Sequence, residues 1–348
     1  MSAAQSTTQL AQPLLHQVLA GQSLTQAQSE EFFSAVAQGN IDSILLSAML
    51  VALKVKGETA DEIAGAALAF RRAALPFPSI ERDCIDCCGT GGDGSQTINI
   101  STTAALVAPA FGITVAKHGN RSVSSQSGSA DLLEQLGVNI QLTPEQAASA
   151  IQQAGVSFLF APQYHPGIRH AMPVRTLLKT RTLFNVLGPL LNPVQPKFQL
   201  LGVYAPELCD VMAQALLQLG VERAWVVHGA GCDEIALHGV TQVTEVRDGQ
   251  LHHFQLTAAD FGLTPIPLAE LAGGAPEQNA AATQAILAGT APRAHLAAIA
   301  ANVAAMRKIC GQEGDLASLT QQVVDHLITQ GATQALATLQ EISHGQRA

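Results

Sequence analysis

The chain of 348 residues has few charged side chains and few aromatic ones. Asp, Glu, Lys and Arg make up 13% of it, and Phe, Trp and Tyr only 4%. Basic residues are in the minority, 18 against 27 acidic ones, so the formal charge is −9. This composition excludes a charge-driven disordered chain, and a nucleic-acid surface, which needs clustered Lys and Arg, is not expected. The hydrophobic content of 47% predicts a compact chain of one or two domains.

The sequence also has no membrane span or export signal that we can identify. Residues 1–10 contain neither a cationic segment nor an apolar core, and the longest apolar stretch, residues 104–116, carries Pro109 and Gly112. Cysteine is sparse, and the spacing Cys84-x-x-Cys87-Cys88 has no second CxxC and no matching His pair. We therefore expect buried, reduced thiols in a cytoplasmic protein rather than a zinc or redox site.

The first 75 or so residues have the pattern of helices. Thr59 and Glu62 form a capping box ahead of the apolar run 63–70, and Pro76-Phe77-Pro78 ends the helical region. Residues 43–54 are apolar on most faces, which predicts a helix buried inside the domain or against a second subunit.

Short apolar runs alternate with helical patterns in the rest of the chain, which predicts an α/β fold with a mostly parallel central sheet. The predicted strands are residues 84–88, 113–116, 156–160, 199–204 and 223–228. A cationic helical insert at about 166–195 interrupts them, and Ala-rich helices follow from Glu277. We expect a helical domain over 1–78 with the insert packed on it, and an α/β domain over 79–165 and 196–348.

A glycine-rich loop, Gly-Thr-Gly-Gly-Asp-Gly at residues 89–94, follows the first predicted strand. Glycines allow backbone N–H groups to approach an anion, and Thr97, Asn99, Ser101 and Thr102 add polar groups at a predicted helix start. The loop satisfies GxGxxG, but a dinucleotide site needs an acidic residue after the next strand, where this chain has Lys117-His118. The sequence thus predicts a phosphate or pyrophosphate pocket.

A second polar loop follows the next predicted strand and carries Lys117, His118 and Arg121, then the serine-rich residues 122–129. Ser129 is positioned to cap the helix that ends at Gly137. Carboxyl ends of parallel strands share one edge of a sheet, so we expect the two loops to converge on one ligand.

Two further features complete the candidate chemistry. Asp233-Glu234 follows the strand that ends at His228-Gly229, and such a pair suits Mg²⁺ beside a polyphosphate. Arg175 lies on the insert, where its guanidinium could bind a carboxylate through two hydrogen bonds. For the other cations of the insert, Arg169, Lys179 and Arg181, a solvated helix face is the alternative.

Together these strings resemble the anthranilate phosphoribosyltransferase family of tryptophan biosynthesis, over roughly residues 10–339. The segments that carry the resemblance are GTGGDGSQTINIST, KHGNRSVSSQSGSADLLEQLG, HPGIRHAMPVRTLLKTRTLFNVLGPLLNP and HGAGCDEIALHG. It implies the nucleoside phosphorylase/phosphoribosyltransferase type of fold and a homodimer formed through the helical part. The length fits the free-standing form, without a fused glutamine amidotransferase. The implied reaction joins anthranilate to phosphoribosyl pyrophosphate, giving N-(5′-phosphoribosyl)anthranilate and pyrophosphate.

The resemblance also implies roles for individual residues. The phosphoribosyl pyrophosphate site would be Gly89, Gly92, Asp93, Thr97, Asn99, Ile100, Ser101, Thr102, Lys117, His118, Gly119, Asn120, Arg121, Ser122, Val123, Ser124, Ser125 and Ser129. Mg²⁺ would bind at Ser101, Asp233 and Glu234, and anthranilate at Gly89, Asn120 and Arg175, with His118 nearby. No residue is assigned as a general acid or base, because the aromatic amine is already neutral at pH 7. Gln126 departs from the family, where a Lys is frequent, and so removes one cation near the substrate loop.

Two alternatives stay open at this point. A pyrimidine nucleoside phosphorylase has the same architecture and a glycine-rich phosphate loop, but it binds orthophosphate and needs no Asp-Glu pair for a metal, so Asp233-Glu234 and the string at 99–102 weigh against it. A binding relative of this fold without catalysis is the other.

Overall fold

The computed structural model describes residues 3–122 and 126–345. Val123, Ser124 and Ser125 of the predicted second loop therefore lie outside the described residues. Within those ranges the α-helices, in chain order, are α1 Ala3–Leu19, α2 Gln26–Ala37, α3 Ser43–Lys56, α4 Ala60–Arg72, α5 Ile100–Val107, α6 Ser129–Gln135, α7 Pro144–Ala154, α8 Ala161–Tyr164, α9 Met172–Leu178, α10 Phe184–Leu187, α11 Leu208–Gln218, α12 Pro276–Leu287, α13 Arg293–Ile309, α14 Leu316–Thr329 and α15 Gln334–Ser343. The strands are β1 Ile85–Gly89, β2 Val115–Gly119, β3 Val156–Phe160, β4 Phe198–Gly202, β5 Arg223–Gly229, β6 Thr241–Arg247 and β7 Gln250–Leu256.

The N-terminal region is helical, as predicted, and its helices are fixed by caps. The capping box of Thr59 and Glu62 starts α4, and the buried Glu62 carboxylate also pairs with Lys56 at 2.9 Å. The insert packs on these helices: the Phe184 ring of α10 meets Phe70 of α4 at 5.6 Å and Phe33 of α2 at 6.1 Å between centroids. These ring contacts join the insert to the N-terminal helices.

The seven strands form one sheet with the order β3-β2-β1-β4-β5-β6-β7. The five strands from β3 to β5 are parallel, which confirms the predicted α/β class. The chain leaves β1 toward β2 on one side, whereas β4 pairs with its other side. This switch in strand order creates a crevice at the carboxyl ends of β1 and β4, where Gly89 and Gly202 are paired neighbours.

The hairpin of β6 and β7 was not predicted. Both strands are antiparallel to their neighbours, and Asp248-Gly249 connects them with φ of +53° and +73°, a turn that such residues adopt readily. Among the described residues, no helix has the length and apolar character needed to cross a membrane.

Two local predictions are wrong. The second strand begins at Val115 and continues to Gly119, so Lys117 and His118 lie inside β2 and not in a loop after it. Ser129 does not cap α6, because Gly128 occupies the capping position and the Asp131 carboxylate accepts its N–H at 2.9 Å. The Ser129 hydroxyl instead accepts a hydrogen bond from Thr102 at 2.9 Å.

Candidate active site

The glycine loop after β1 meets the turn after β5 over the crevice. The backbone N–H of Gly91 donates to Asp233 Oδ2 at 2.7 Å, and the N–H of Asp233 donates to Asp93 Oδ2 at 3.2 Å. Two segments far apart in sequence thus hold each other through reciprocal hydrogen bonds.

This close approach depends on two glycines. A Cβ on Gly89 would overlap the Asp233 carboxylate, and a Cβ on Gly202 would overlap the Asp233 backbone carbonyl. Since β1 and β4 place these two residues side by side, the sheet leaves room for the Asp233 turn only because both lack a side chain.

The start of α5 is the third element of the site. Its capping residue, Asn99, makes no side-chain cap, and the N–H of Ser101 donates to Glu234 Oε1 at 3.2 Å. Glu234 therefore connects the β5 turn to the first turn of α5, directly after the glycine loop.

Three carboxylates, Asp93, Asp233 and Glu234, gather in this crevice. Burial raises the pKa of Asp233 to about 7, and the negative charge of the nearby Asp93 adds to this effect. Burial raises the pKa of Glu234 to about 8, and the negative charge of Asp233 adds to this effect. Lys117 offsets only part of this effect at Glu234, and a divalent cation would supply further positive charge. Among the described residues no group of three or more His, Cys, Asp or Glu side chains is placed to hold a metal ion, so substrate or water oxygens would have to provide other ligands.

Lys117 lies beneath the glycine loop as a buried cation. Its Nζ donates to the carbonyl of Cys87 at 2.6 Å and to Ser101 Oγ at 3.4 Å. The charge also acts to lower the pKa of Glu234, against the burial that raises it. Because Lys117 lies inside β2, its positive charge is held at the base of the crevice.

The two polar loops, predicted to converge on one ligand, are joined to each other by hydrogen bonds. Asn99 Nδ2 donates to the carbonyl of Ser127 at 3.0 Å, and the Ser127 hydroxyl donates to Asn99 Oδ1 at 3.2 Å. Thr102 and Ser129 make a second link. Arg121 faces α6, where its guanidinium pairs with Asp131 at 2.9 Å and Glu134 at 2.6 Å.

The remaining predicted residues lie along the two loops and at the start of α5. Gly92 and Asp93 belong to the glycine loop, with Gly92 at a positive φ of +78°, and Thr97 pairs with Ala272 in an isolated bridge. Ile100, the first residue of α5, is buried in the core. Gly119 ends β2, Asn120 is exposed and accepts the N–H of Arg121 at 2.7 Å, and the N–H of Ser122 donates to Asp131 at 3.2 Å. Gln126 is exposed.

His118 faces the insert. Its Nδ1 lies 3.0 Å from the carbonyl of Gly188, and its ring meets His165 edge to face at 5.3 Å. Burial lowers the pKa of His118 to about 3 and that of His165 to about 4. A carbonyl can only accept a hydrogen bond, so neutral His118 carries its proton on Nδ1 and presents Nε2 as an acceptor. The buried Nε2 has no hydrogen-bond partner in the described chain.

Arg175 is half-buried on α9, which belongs to the insert and to neither loop. Its guanidinium lies 5.3 Å from the Phe184 ring centroid, and its polar contact is with Met172 Sδ at 3.7 Å. No carboxylate of the described chain pairs with it, and burial lowers its pKa. A half-buried cation without an acid is available to an anionic ligand.

Sequence reasoning missed two polar contributors, Arg181 and Asp86. Arg181 is not on a solvated helix face: it donates to the carbonyl of Gly92, and its guanidinium stacks 4.0 Å from the Tyr204 ring centroid. Asp86, fully buried in β1, accepts from the His118 N–H at 3.1 Å and from Asn192 Nδ2 at 2.9 Å. Burial raises the pKa of Asp86 to about 6. Only the structure brings these residues to the site, because no spacing in the sequence connects them.

Two sequence profiles of known families match the chain. One, described as "Glycosyl transferase family, a/b domain", matches residues 81–334, and the other, "Glycosyl transferase family, helical bundle domain", matches residues 12–74. The boundary between them falls beside the Pro76-Phe77-Pro78 stretch.

Curated relatives are similar over almost the whole length. The anthranilate phosphoribosyltransferase of Aeromonas salmonicida is 53% identical over 330 residues, covering 95% of this chain and 98% of its own. That of Pseudoalteromonas translucida is 54% identical over 334 residues, covering 96% and 94%.

Solved structures agree in fold. The anthranilate phosphoribosyltransferase of Thermus thermophilus superposes with a TM-score of 0.90 at 40% identity, covering 95% of this chain and 99% of its own. The enzyme of Saccharomyces cerevisiae, in complex with phosphoribosyl pyrophosphate and Mg, has a TM-score of 0.87 at 28% identity, covering 96% and 98%. These similarities favour the transferase over both alternatives, the nucleoside phosphorylase and the non-catalytic relative.

Proposed function

We infer that in this chain, which belongs to the anthranilate phosphoribosyltransferase family, the crevice over β1 and β4 is where the two substrates react. The chain transfers the phosphoribosyl group of phosphoribosyl pyrophosphate to the amino group of anthranilate, a step of tryptophan biosynthesis. The observation that carries the site assignment is the meeting of the glycine loop, the α5 start and the Asp233-Glu234 turn in one crevice.

We propose that the two linked loops bind phosphoribosyl pyrophosphate. Backbone N–H groups of residues 92–94 and of Thr102 in the first turn of α5 provide donors for phosphate oxygens, and the hydroxyls of Thr97 and Ser101 add to them. Lys117 supplies positive charge from below, close to Ser101. Ser127 and Ser129 of the second loop would lie beside the same ligand, because Asn99 and Thr102 join them to the first loop.

We propose Mg²⁺ as the cation of the crevice, held by Ser101, Asp233 and Glu234. The donors are hard oxygens and their acids have raised pKa values, which fits a site built for a divalent cation. When bound, Mg²⁺ would neutralise the diphosphate and stabilise the negative charge that it gains on leaving. The Mg bound with phosphoribosyl pyrophosphate in the yeast relative supports the choice of metal.

We propose that anthranilate binds on the insert side, near Gly89, Asn120, His118 and Arg175. Arg175 would pair with the carboxylate, for which the described chain offers it no internal substitute. His118 Nε2, an acceptor in neutral imidazole, suits an N–H of the aromatic amine. The amine needs no strong base because it is neutral at pH 7, so these residues act by orienting its lone pair toward the sugar carbon.

We further propose a homodimer formed through the helical domain. For the limits of the two domains we propose those predicted from the sequence. The α3 helix exposes Ile44 at 77% and Val55 at 83%, with Val51 on the same face at 41%. Leu177 on the neighbouring α9 is exposed at 83%. A Val55→Glu variant should sediment as a monomer. The Ile328→Glu variant, changed at an exposed site on α14, should keep the native oligomeric state. A Val55→Glu variant that remains dimeric would show that this face of α3 is not part of the interface.

The transferase assignment is tested by following anthranilate fluorescence. The signal should fall only when protein, phosphoribosyl pyrophosphate and Mg²⁺ are all present, and pyrophosphate should accumulate in equal amount. Consumption of anthranilate without the sugar substrate, or cleavage of a pyrimidine nucleoside by orthophosphate, would contradict it.

A further inference from the structure

Asn99 occupies the capping position of α5 yet does not cap the helix. Its φ of −73° and ψ of 77° accompany no side-chain cap, and its carboxamide is used elsewhere. Oδ1 accepts from Ser127 Oγ at 3.2 Å and from Asn279 Nδ2 at 2.7 Å, while Nδ2 donates to the carbonyl of Ser127 at 3.0 Å. One side chain thereby joins the two polar loops.

Asn279 comes from α12, a helix that contributes no residue to the proposed binding sites. It is 2% exposed, and both ends of its carboxamide are paired. Nδ2 donates to Asn99, and Oδ1 accepts the backbone N–H of Gly274 at 2.9 Å. A buried Asn with both ends satisfied costs little stability and has one preferred orientation.

The polarity of this chain of hydrogen bonds is fixed at its backbone end. The N–H of Gly274 can only donate, so Oδ1 of Asn279 faces it and Nδ2 faces Asn99. Asn99 must then turn Oδ1 toward Asn279 and Nδ2 toward the second loop. A flipped Asn99 amide would bring two donors together at Asn279 and two acceptors together at the Ser127 carbonyl, so that both of these hydrogen bonds would be lost.

We propose that Asn279 is a positioning residue for the binding of phosphoribosyl pyrophosphate, because it sets the orientation of the Asn99 carboxamide that ties the two loops together. This inference rests on the proposed binding of that substrate by Asn99. Asn279 touches neither substrate, so its effect appears in the KM for phosphoribosyl pyrophosphate and not in that for anthranilate.

Thr283 provides a matched control. It lies one turn further along α12, is 1% exposed, and its hydroxyl pairs with that of Thr103 in α5 at 2.9 Å. Thr283→Val removes a buried hydrogen bond of the same helix without a change of shape. Loss of stability alone would therefore affect both variants alike.

The experiment compares Asn279→Asp, Asn279→Ala and Thr283→Val in steady-state kinetics and thermal unfolding. Asn279→Asp puts an acceptor opposite Asn99 Oδ1, and Asn279→Ala removes the donor without adding charge. We expect both to raise the KM for phosphoribosyl pyrophosphate roughly tenfold, with the KM for anthranilate changed less than about twofold. Thr283→Val should lower the Tm but leave both KM values within about twofold.

A double-mutant cycle with Asn99→Ala completes the test. In that background Asn279→Ala should change the KM for phosphoribosyl pyrophosphate by less than about twofold, because its target is gone. The positioning role would be overturned if the two single-variant increases in the KM for phosphoribosyl pyrophosphate multiply in the double variant. It would also be overturned if Thr283→Val changes that KM as much as the Asn279 variants do. An unchanged KM in Asn99→Ala alone would instead refute the binding assignment of Asn99, and the inference with it.

Discussion

Asp233 accepts a hydrogen bond at 2.7 Å from the backbone N–H of Gly91, although 142 residues separate the two in sequence. The bond holds a carboxylate of the proposed metal site against the glycine loop. It also aligns the turn after β5 with the carboxyl ends of β1 and β4, where the strand order reverses. The loop and the acidic turn thus form one rigid wall of the crevice, and changes in one are expected to disturb the other.

Gly202→Ala should disable the site by displacing the acidic turn. The added Cβ would overlap the carbonyl of Asp233, a backbone group that cannot move alone. We expect a loss of about 1–3 kcal/mol in the free energy of unfolding and at least roughly tenfold lower kcat/KM.

The control for this variant is Gly220→Ala. Gly220 has a φ of +82° and open space around its Cβ, so alanine there adds backbone strain of about 1 kcal/mol without a collision. Equal activity in the two variants would show that the Asp233 turn tolerates displacement.

Asp233→Asn should raise the Mg²⁺ concentration that gives half-maximal activity by at least about tenfold, because an amide oxygen carries no charge for the cation. The measurement is a Mg²⁺ titration at saturating substrates. Asp248→Asn, an isosteric change at a side chain that is 88% exposed in the β6–β7 turn, should leave the titration unchanged. An unmoved titration for Asp233→Asn would remove Asp233 from the metal site.

The sequence predicted those parts of the fold that depend on local patterns. The box of Thr59 and Glu62 starts α4 because its two hydrogen bonds lie within one turn. Val156–Phe160 forms β3 as predicted, because an apolar run bounded by turn residues suits a buried parallel strand. The β6–β7 hairpin escaped prediction since its alternation is interrupted by His252 and His253 on an exposed edge strand.

The site divides in the same way. The glycine loop and Asp233-Glu234 could be recognised because each forms a continuous string. Lys117 was placed beyond its strand, because a charged residue within an apolar run indicates a strand end; here the carbonyl of Cys87 and the nearby acids stabilise it inside the sheet. Arg181, Asp86 and Asn279 escaped because their contacts cross the fold and leave no pattern in the sequence.

Arg175→Ala should lower kcat/KM by roughly ten- to hundredfold, which corresponds to the loss of a charged hydrogen bond of about 1.5–3 kcal/mol. The loss should appear mainly in the KM for anthranilate, because the proposed partner is its carboxylate. Arg169→Ala, an exposed cation of the same insert, is the control and should be close to the parent enzyme. Unchanged kinetics for Arg175→Ala would exclude Arg175 from the site.

His165 should make the fold sensitive to acid. Burial lowers its pKa from 6.5 to about 4, so the folded chain binds fewer protons there than the unfolded chain does. The associated stability is fully present above about pH 6.5 and is lost as the pH falls toward 4, by about 2 kcal/mol at pH 4.5. His165→Phe keeps a ring against His118 but cannot titrate, so its free energy of unfolding should fall less steeply over this range. The slope will not vanish, since the pKa of His118 is lowered as well and Asp86, whose pKa is raised, contributes in the opposite direction in both proteins. Denaturant unfolding at pH 7, 6, 5 and 4.5 measures the difference, with exposed His16→Gln as the control. Parallel curves for the parent protein and His165→Phe would mean that His165 takes up its proton in the folded state.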